Sequence, residues 1–153
     1  MERAAATAGQ PSRIVYDDQP RLLAFAIEKG ASAEWRPDAV AIGREVGGEL
    51  VAVAVYEHFT DGDCHVHIAS DGSRRWCTRE LLTRWFAYPF LQLRLRRITG
   101  LVPSTNLRAL DFDLKLGFKV EGQMREAFPD GDMMILGMLA RECRYLPIPR
   151  ADR

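Results

Sequence analysis

The stretch from Asp63 to Gly117 constrains this chain most, because it writes one strand–turn–helix–strand–helix unit. Cys64 to Ala69 is strand-like and enters the turn Ser70-Asp71-Gly72-Ser73, in which Asp-Gly is a strong turn dipeptide. A helix is expected to start near Arg74 to Cys77, after Ser73 or with Thr78 in its first turn. A strand that feeds a tight turn and then a helix aims several unpaired N–H groups at one point, a ready-made phosphate site. Arg74 and Arg75 add charge to that cradle. Arg97 to Val102 is a second strand, and Leu107 to Leu116 is a helix closed by Gly117.

The rest of the chain supplies a sheet for this unit. Arg13 to Tyr16 is a short strand. Pro20 suits a first helical position, and Leu22, Leu23, Phe25, Ala26 and Ile27 give a helical stripe that Gly30 ends. Trp35 lies in a loop, where it either lines a site or covers the core. Ala39 to Glu45 and Leu50 to Phe59 are strands joined at Gly47-Gly48, a favoured hairpin pair. Arg79 to Leu93 reads as the long helix, which Pro89 should kink or end early. The last hairpin turns at Pro129-Asp130-Gly131. The fold class is α/β: a mixed, largely antiparallel sheet of six or seven strands flanked by about three to four helices. A single domain is expected over 13–146, with a flexible lead-in at 1–12 and a tail at 147–153.

Composition narrows the function. A formal net charge of zero argues against non-specific nucleic-acid binding, which needs a basic excess. Cys64, Cys77 and Cys143 are odd in number and widely spaced, which suits a reducing cytoplasm. No apolar run approaches the ~18 residues of a membrane span, and the first dozen residues have no apolar signal core. Side chains alternate along a strand, so Asp63, His65, His67 and Ala69 share one face, and Cys64, Val66 and Ile68 share the other, which looks like core.

The second half carries a longer pattern. Asn106-x-x-Ala109-x-x-Phe112-x-x-Lys115-Leu116-Gly117-Phe118 leads into Glu121-Gly122-x-x-Arg125-Glu126, and Asp130 to Leu139 follows as a strand. With the strand–turn–helix unit, residues 39 to 140 resemble the core of the GNAT superfamily, the acyl-CoA-dependent N-acyltransferases. The E-G-x-x-R-E segment is similar to that of members that acetylate protein amino termini. The chain departs from the family at the pyrophosphate loop. The usual R/Q-x-x-G-x-G/A falls on Ser73-Arg74-Arg75-Trp76-Cys77-Thr78, with Trp76 and Thr78 where glycine is usual. Small phage-type members, which the chain also resembles, have similar loops without glycine.

The resemblance implies acetyl-CoA as co-substrate and a set of site residues. Ile68, Ala69 and Ser70 would form the strand edge that pairs with the pantetheine arm, as an added strand does. Ser73, Arg74, Arg75, Trp76, Cys77 and Thr78 would form the pyrophosphate turn. Asn106 would reach the arm, or serve as a helix N-cap, or both. His67 is the candidate base, His65 a water relay, and Asp63 a group that orients a histidine or attracts a cationic amine. Imidazole titrates near neutrality and suits that role, although a hydrogen-bonded polar strand face is the plain alternative. Two histidines at i, i+2 without an obvious third ligand give no metal site. Many family members place an acidic tyrosine where this chain has Asp113. An aspartate can donate a proton near neutrality only if burial raises its pKa. Cys77 at a helix start could have a lowered pKa, but an acyl-cysteine route needs a paired histidine. The expected function is transfer of an acetyl group to a primary amine by direct attack, with a protein amino terminus or lysine favoured as acceptor. The rivals are a catalytically degenerate acyl-CoA- or partner-binding domain, and a phage-type modifier of a host protein or nucleobase amine. A homodimer is left open.

Overall fold

The computed structural model describes residues 9–73 and 75–147. A seven-stranded sheet runs through them in the order β1-β2-β3-β4-β5-β7-β6. The strands are β1 (Ser12–Val15), β2 (Val40–Val46), β3 (Glu49–Glu57), β4 (His65–Ser70), β5 (Arg97–Pro103), β6 (Lys119–Phe128) and β7 (Gly131–Leu139). The α-helices are α1 (Gln19–Glu28), α2 (Arg79–Ala87) and α3 (Leu107–Leu116). Among the described residues, no helix is long and apolar enough to cross a membrane.

Strand β3 is apolar from Leu50 to Tyr56 because both of its faces are covered. Val53 and Val55 pack with Leu22 and Ala26 of α1, while Ala52, Ala54 and Tyr56 pack with Leu81, Trp85 and Phe86 of α2. Helix α1 sits hard against β2 at Gly43, where a Cβ would lie 2.7 Å from a Leu22 methyl. Beyond β2, the edge backbone of Ala41 is covered by Gln19. Its amide oxygen accepts from Ala41 N–H and its amide nitrogen donates to Ala41 C=O, both at 2.8 Å.

Two boundaries differ from the sequence reading, the end of α2 and the end of β3. Helix α2 begins at Arg79, the later of the two starts expected, because Thr78 is the N-cap: its hydroxyl accepts from Leu81 N–H. It also ends at Ala87, short of Leu93. Pro89 has no N–H to give the Trp85 carbonyl, so the chain widens into one π-helical turn at Tyr88–Gln92. The freed carbonyl is not left unpaired, since the buried Tyr56 hydroxyl donates to it at 2.6 Å. Strand β3 stops at Glu57, two residues before Phe59, because His58 takes a positive φ of 56°. Helix α3 ends as expected, with Gly117 in the left-handed region at φ 117°.

Candidate active site

Five of the sheet's six strand pairings are ordinary antiparallel ladders; the parallel one is where the site lies. Strands β4 and β5 share a single register pair, His65 with Thr99, and then diverge. In the β3–β4 ladder Asp71 N–H donates to Val51 C=O, which fixes the parity of β4. His67 and Ala69 turn their backbone groups toward β3. Val66, Ile68 and Ser70 therefore turn theirs toward β5, which has moved away. The result is an open cleft of about 700 Å³ with an unpaired strand edge along one wall. Leu101, Val102 and Pro103 form the opposite wall, and Asn106, Ala109, Phe112 and Asp113 of the α3 segment form one flank.

The two sheet faces carry different chemistry at this opening. On the α1 face His67 lines the cleft, with its side chain 18% exposed. Its Nε2 lies 3.0 Å from Glu57 Oε1 but off the N–H axis, so that nitrogen is buried with no in-line hydrogen bond. Trp35 stands edge-on to the ring at 5.2 Å between centroids. Burial lowers the His67 pKa, and the Glu57 carboxylate opposes that shift. On the other face Asp113 lines the cleft from α3, and burial pushes its carboxyl up to about 7.

No family model and no curated protein sequence matches the chain. Solved structures do. The ribosomal-protein-S18-alanine N-acetyltransferase of Escherichia coli superposes with a TM-score of 0.67 at 21% identity, over 85% of this chain and 94% of that one. Spermidine N-acetyltransferase of Vibrio cholerae, in complex with CoA and spermine, gives 0.67 at 15% identity, over 86% and 96%. A single-site variant of that enzyme gives 0.69 at 16%, over 89% and 96%. This chain has the GNAT fold.

Within the GNAT fold the cleft brings together His67, Ile68, Ala69, Ser70, Ser73, Trp76, Cys77, Asn106 and Asp113 of the expected set. It does not take in His65, Asp63, Arg75 or Thr78. His65 lies against His58, ring centroids 4.6 Å apart and tilted by 36°, and burial lowers its pKa. Asp63 shares the His65 and His67 face, as its parity requires, but it is tied to β5: Thr99 Oγ1 donates to it at 2.8 Å, and Arg97 lies 3.6 Å away. Asn106 is both things expected of it, since its side chain caps α3 by accepting from Ala109 N–H and also lines the cleft.

The GNAT turn itself is built differently from the simple amide cradle. Asp71 folds into it and accepts from both the Ser73 N–H, at 2.9 Å, and the Ser73 hydroxyl, at 2.6 Å. Ser70 Oγ accepts from Gly72 N–H. Two amides are thus satisfied locally, and the N–H groups of Trp76 and Cys77 donate to no such partner among the described hydrogen bonds. Arg75 pairs with Asp71 at 3.4 Å, and Arg74 lies outside the described residues. Trp76 is buried against Trp85 and Phe112, so its indole fills the space a glycine would leave open. The Cys77 thiol has a raised pKa through burial, opposite to the lowered value expected at a helix start, because the helix begins two residues later.

The sequence reading missed Glu57, Arg108 and Lys29. Arg108 lines the cleft and donates to Gly72 C=O at 3.3 Å, which puts a cation beside the turn from the helix side. Lys29 reaches the cleft from the end of α1. Both lie far from the turn in sequence, so no local motif could mark them. Glu57 was legible only as the residue opposite His65 in the hairpin.

Proposed function

We propose that this chain is an N-acyltransferase that moves an acetyl group from acetyl-CoA to a primary amine by direct attack. The observation that carries the reading is the splayed β4 edge between two titratable groups on opposite sheet faces. The unpaired backbone of Val66, Ile68 and Ser70 suits an extended amide chain such as pantetheine, docked as an added strand. Trp76 and Cys77 amides, Arg108, Arg75 and Arg74 would receive the pyrophosphate. His67 is the base that takes the amine proton, and Asp113 the acid that returns one to the leaving thiolate.

The two pKa directions suit these assignments. A base must be neutral and an acid protonated at the same pH. Burial lowers His67 below the usual imidazole value of 6.5 and raises Asp113 to about 7. Both groups are then in their working forms over a window near neutrality.

The acceptor we favour is a protein amine. Support comes from the Glu121-Gly122-x-x-Arg125-Glu126 segment and from the ribosomal-protein acetyltransferase among the structural neighbours. Asp63 and Glu121, two carboxylates that a polyamine could use, are both engaged by Arg97. Asp71 inside the turn and Trp76 in the glycine position favour a second reading, a domain that binds acyl-CoA without turnover.

Calorimetry with acetyl-CoA, followed by thiol release with an alanine-initiated peptide and with spermidine, tests the proposal. A dissociation constant in the micromolar range, about −8 kcal/mol, is expected. Peptide-dependent thiol release that is lost in His67→Ala is expected next. Absence of binding at millimolar acetyl-CoA sinks the reading, and binding without release for any amine selects the second one.

A further inference from the structure

The carboxylate beside His67 belongs to no motif, yet its two oxygens have distinct partners. Glu57 Oε1 meets His67 Nε2 at 3.0 Å, and Oε2 accepts the Arg36 backbone N–H at 3.1 Å. Both side chains are largely withdrawn from water, at 13% and 18% exposure. The Arg36 amide comes from the loop that carries Trp35. That loop is anchored in turn, since Trp35 Nε1 donates to Leu23 C=O of α1 at 3.0 Å. Glu57 is therefore held from behind, and the imidazole is held between Glu57 and the Trp35 edge. Nε2 is the buried nitrogen, which leaves Nδ1 as the nitrogen with access to the cleft.

We infer that Glu57 is a positioning residue: it fixes which His67 nitrogen faces the acceptor and holds the imidazolium formed when that nitrogen takes the amine proton. This rests on the acyl-transfer reading for its consequence but not for its physics. A neutral ring with Nε2 toward Glu57 carries its hydrogen there and a lone pair on Nδ1. When Nδ1 gains a proton, Nε2–H becomes a charge-assisted donor to a carboxylate already in contact. A small ring rotation inside the cage aligns it. The same logic holds a buried carboxylate behind a catalytic imidazole in acyl-transfer triads. Among the described residues, the other titratable groups near the ring are His65 on its own strand, His58 beyond it and Lys29 of the α1 end, which lines the same cleft; Arg36 contributes only its backbone.

Two measurements on the full chain test this. The first is an NMR titration of the imidazole resonances, assigned with single His→Ala variants, in wild type and Glu57→Gln. Removing the carboxylate's charge should move the His67 titration to lower pH. The second is the pH profile of kcat/KM for thiol release with the alanine-initiated peptide. Glu57→Gln should lower kcat/KM by about 10–100-fold, as losing an orienting partner does at other sites. KM for acetyl-CoA should stay unchanged and the acidic limb should move the same way as the NMR titration. Glu57→Asp, which keeps the charge one methylene back, should recover part of the rate. An unmoved His67 titration in Glu57→Gln overturns the inference. A moved titration in a protein that never releases thiol supports the pair and fails the acyl-transfer reading instead, so the two failures are separable.

Discussion

Asp113→Asn should stabilise the protein above neutrality while removing the proposed proton donor. The carboxyl is raised from 3.8 to about 7 by burial against the cleft wall. Each pH unit between those values is worth 1.36 kcal/mol, so the full difference is about 4 kcal/mol. Part of the side chain still reaches solvent, so we take roughly half, ~2 kcal/mol. In the folded chain the carboxyl keeps a proton that the unfolded chain has released between pH 3.8 and about 7. Stability therefore falls as pH rises through that window, and the penalty is complete above it. Asparagine has the same shape and no charge, so the variant should gain almost nothing at about pH 3, below both values, and ~2 kcal/mol at about pH 8. For a chain of this length that is a rise in Tm of about 4–8 °C at the higher pH. Thermal unfolding of both proteins across the range measures it. The same variant should lose thiol release by about 10²-fold or more, with the alkaline limb near the Asp113 pKa abolished. Equal Tm differences at both pH values would refute the titration argument. An unchanged alkaline limb would refute the role.

Three further outcomes follow from other parts of the molecule. His67→Ala should lower kcat/KM by about 10²–10⁴-fold with acetyl-CoA affinity nearly unchanged, read by pairing kinetics with calorimetry. Arg108→Ala should weaken acetyl-CoA by about 1–3 kcal/mol, the scale of a charge-assisted bond, and the loss should shrink at high salt. Tyr56→Phe should cost about 1–3 kcal/mol in urea unfolding, because it strands the Trp85 carbonyl that Pro89 already denies a helical partner.

The order of elements was legible in the sequence because it is carried by local signals. Asp71-Gly72, Gly47-Gly48 and Gly117 mark chain reversals that few other residues tolerate. Period-two alternation gave the His65–His67–Ala69 face, and the structure keeps it. Pro89 announced a break in the long helix, though only the structure decided that a π turn and the Tyr56 hydroxyl would absorb it. Of the two starts the sequence offered for α2, Arg79 holds and the earlier one near 74–77 does not, because Thr78 is the cap.

What the sequence could not hold is proximity between distant residues. Glu57 reaches His67 only because the β3–β4 hairpin folds one over the other. Arg108 reaches Gly72 across 36 residues. The raised Asp113 carboxyl needs α3 laid against the open end of the sheet, since an aspartate in a helix pattern reads as solvent-facing until something buries it. Asp63 is the converse case: the strand parity places it beside the histidines, but Thr99 and Arg97 of β5 tie it down before it can face the cleft. Local geometry is written along the chain, while electrostatic environment is a sum over neighbours that the fold alone supplies.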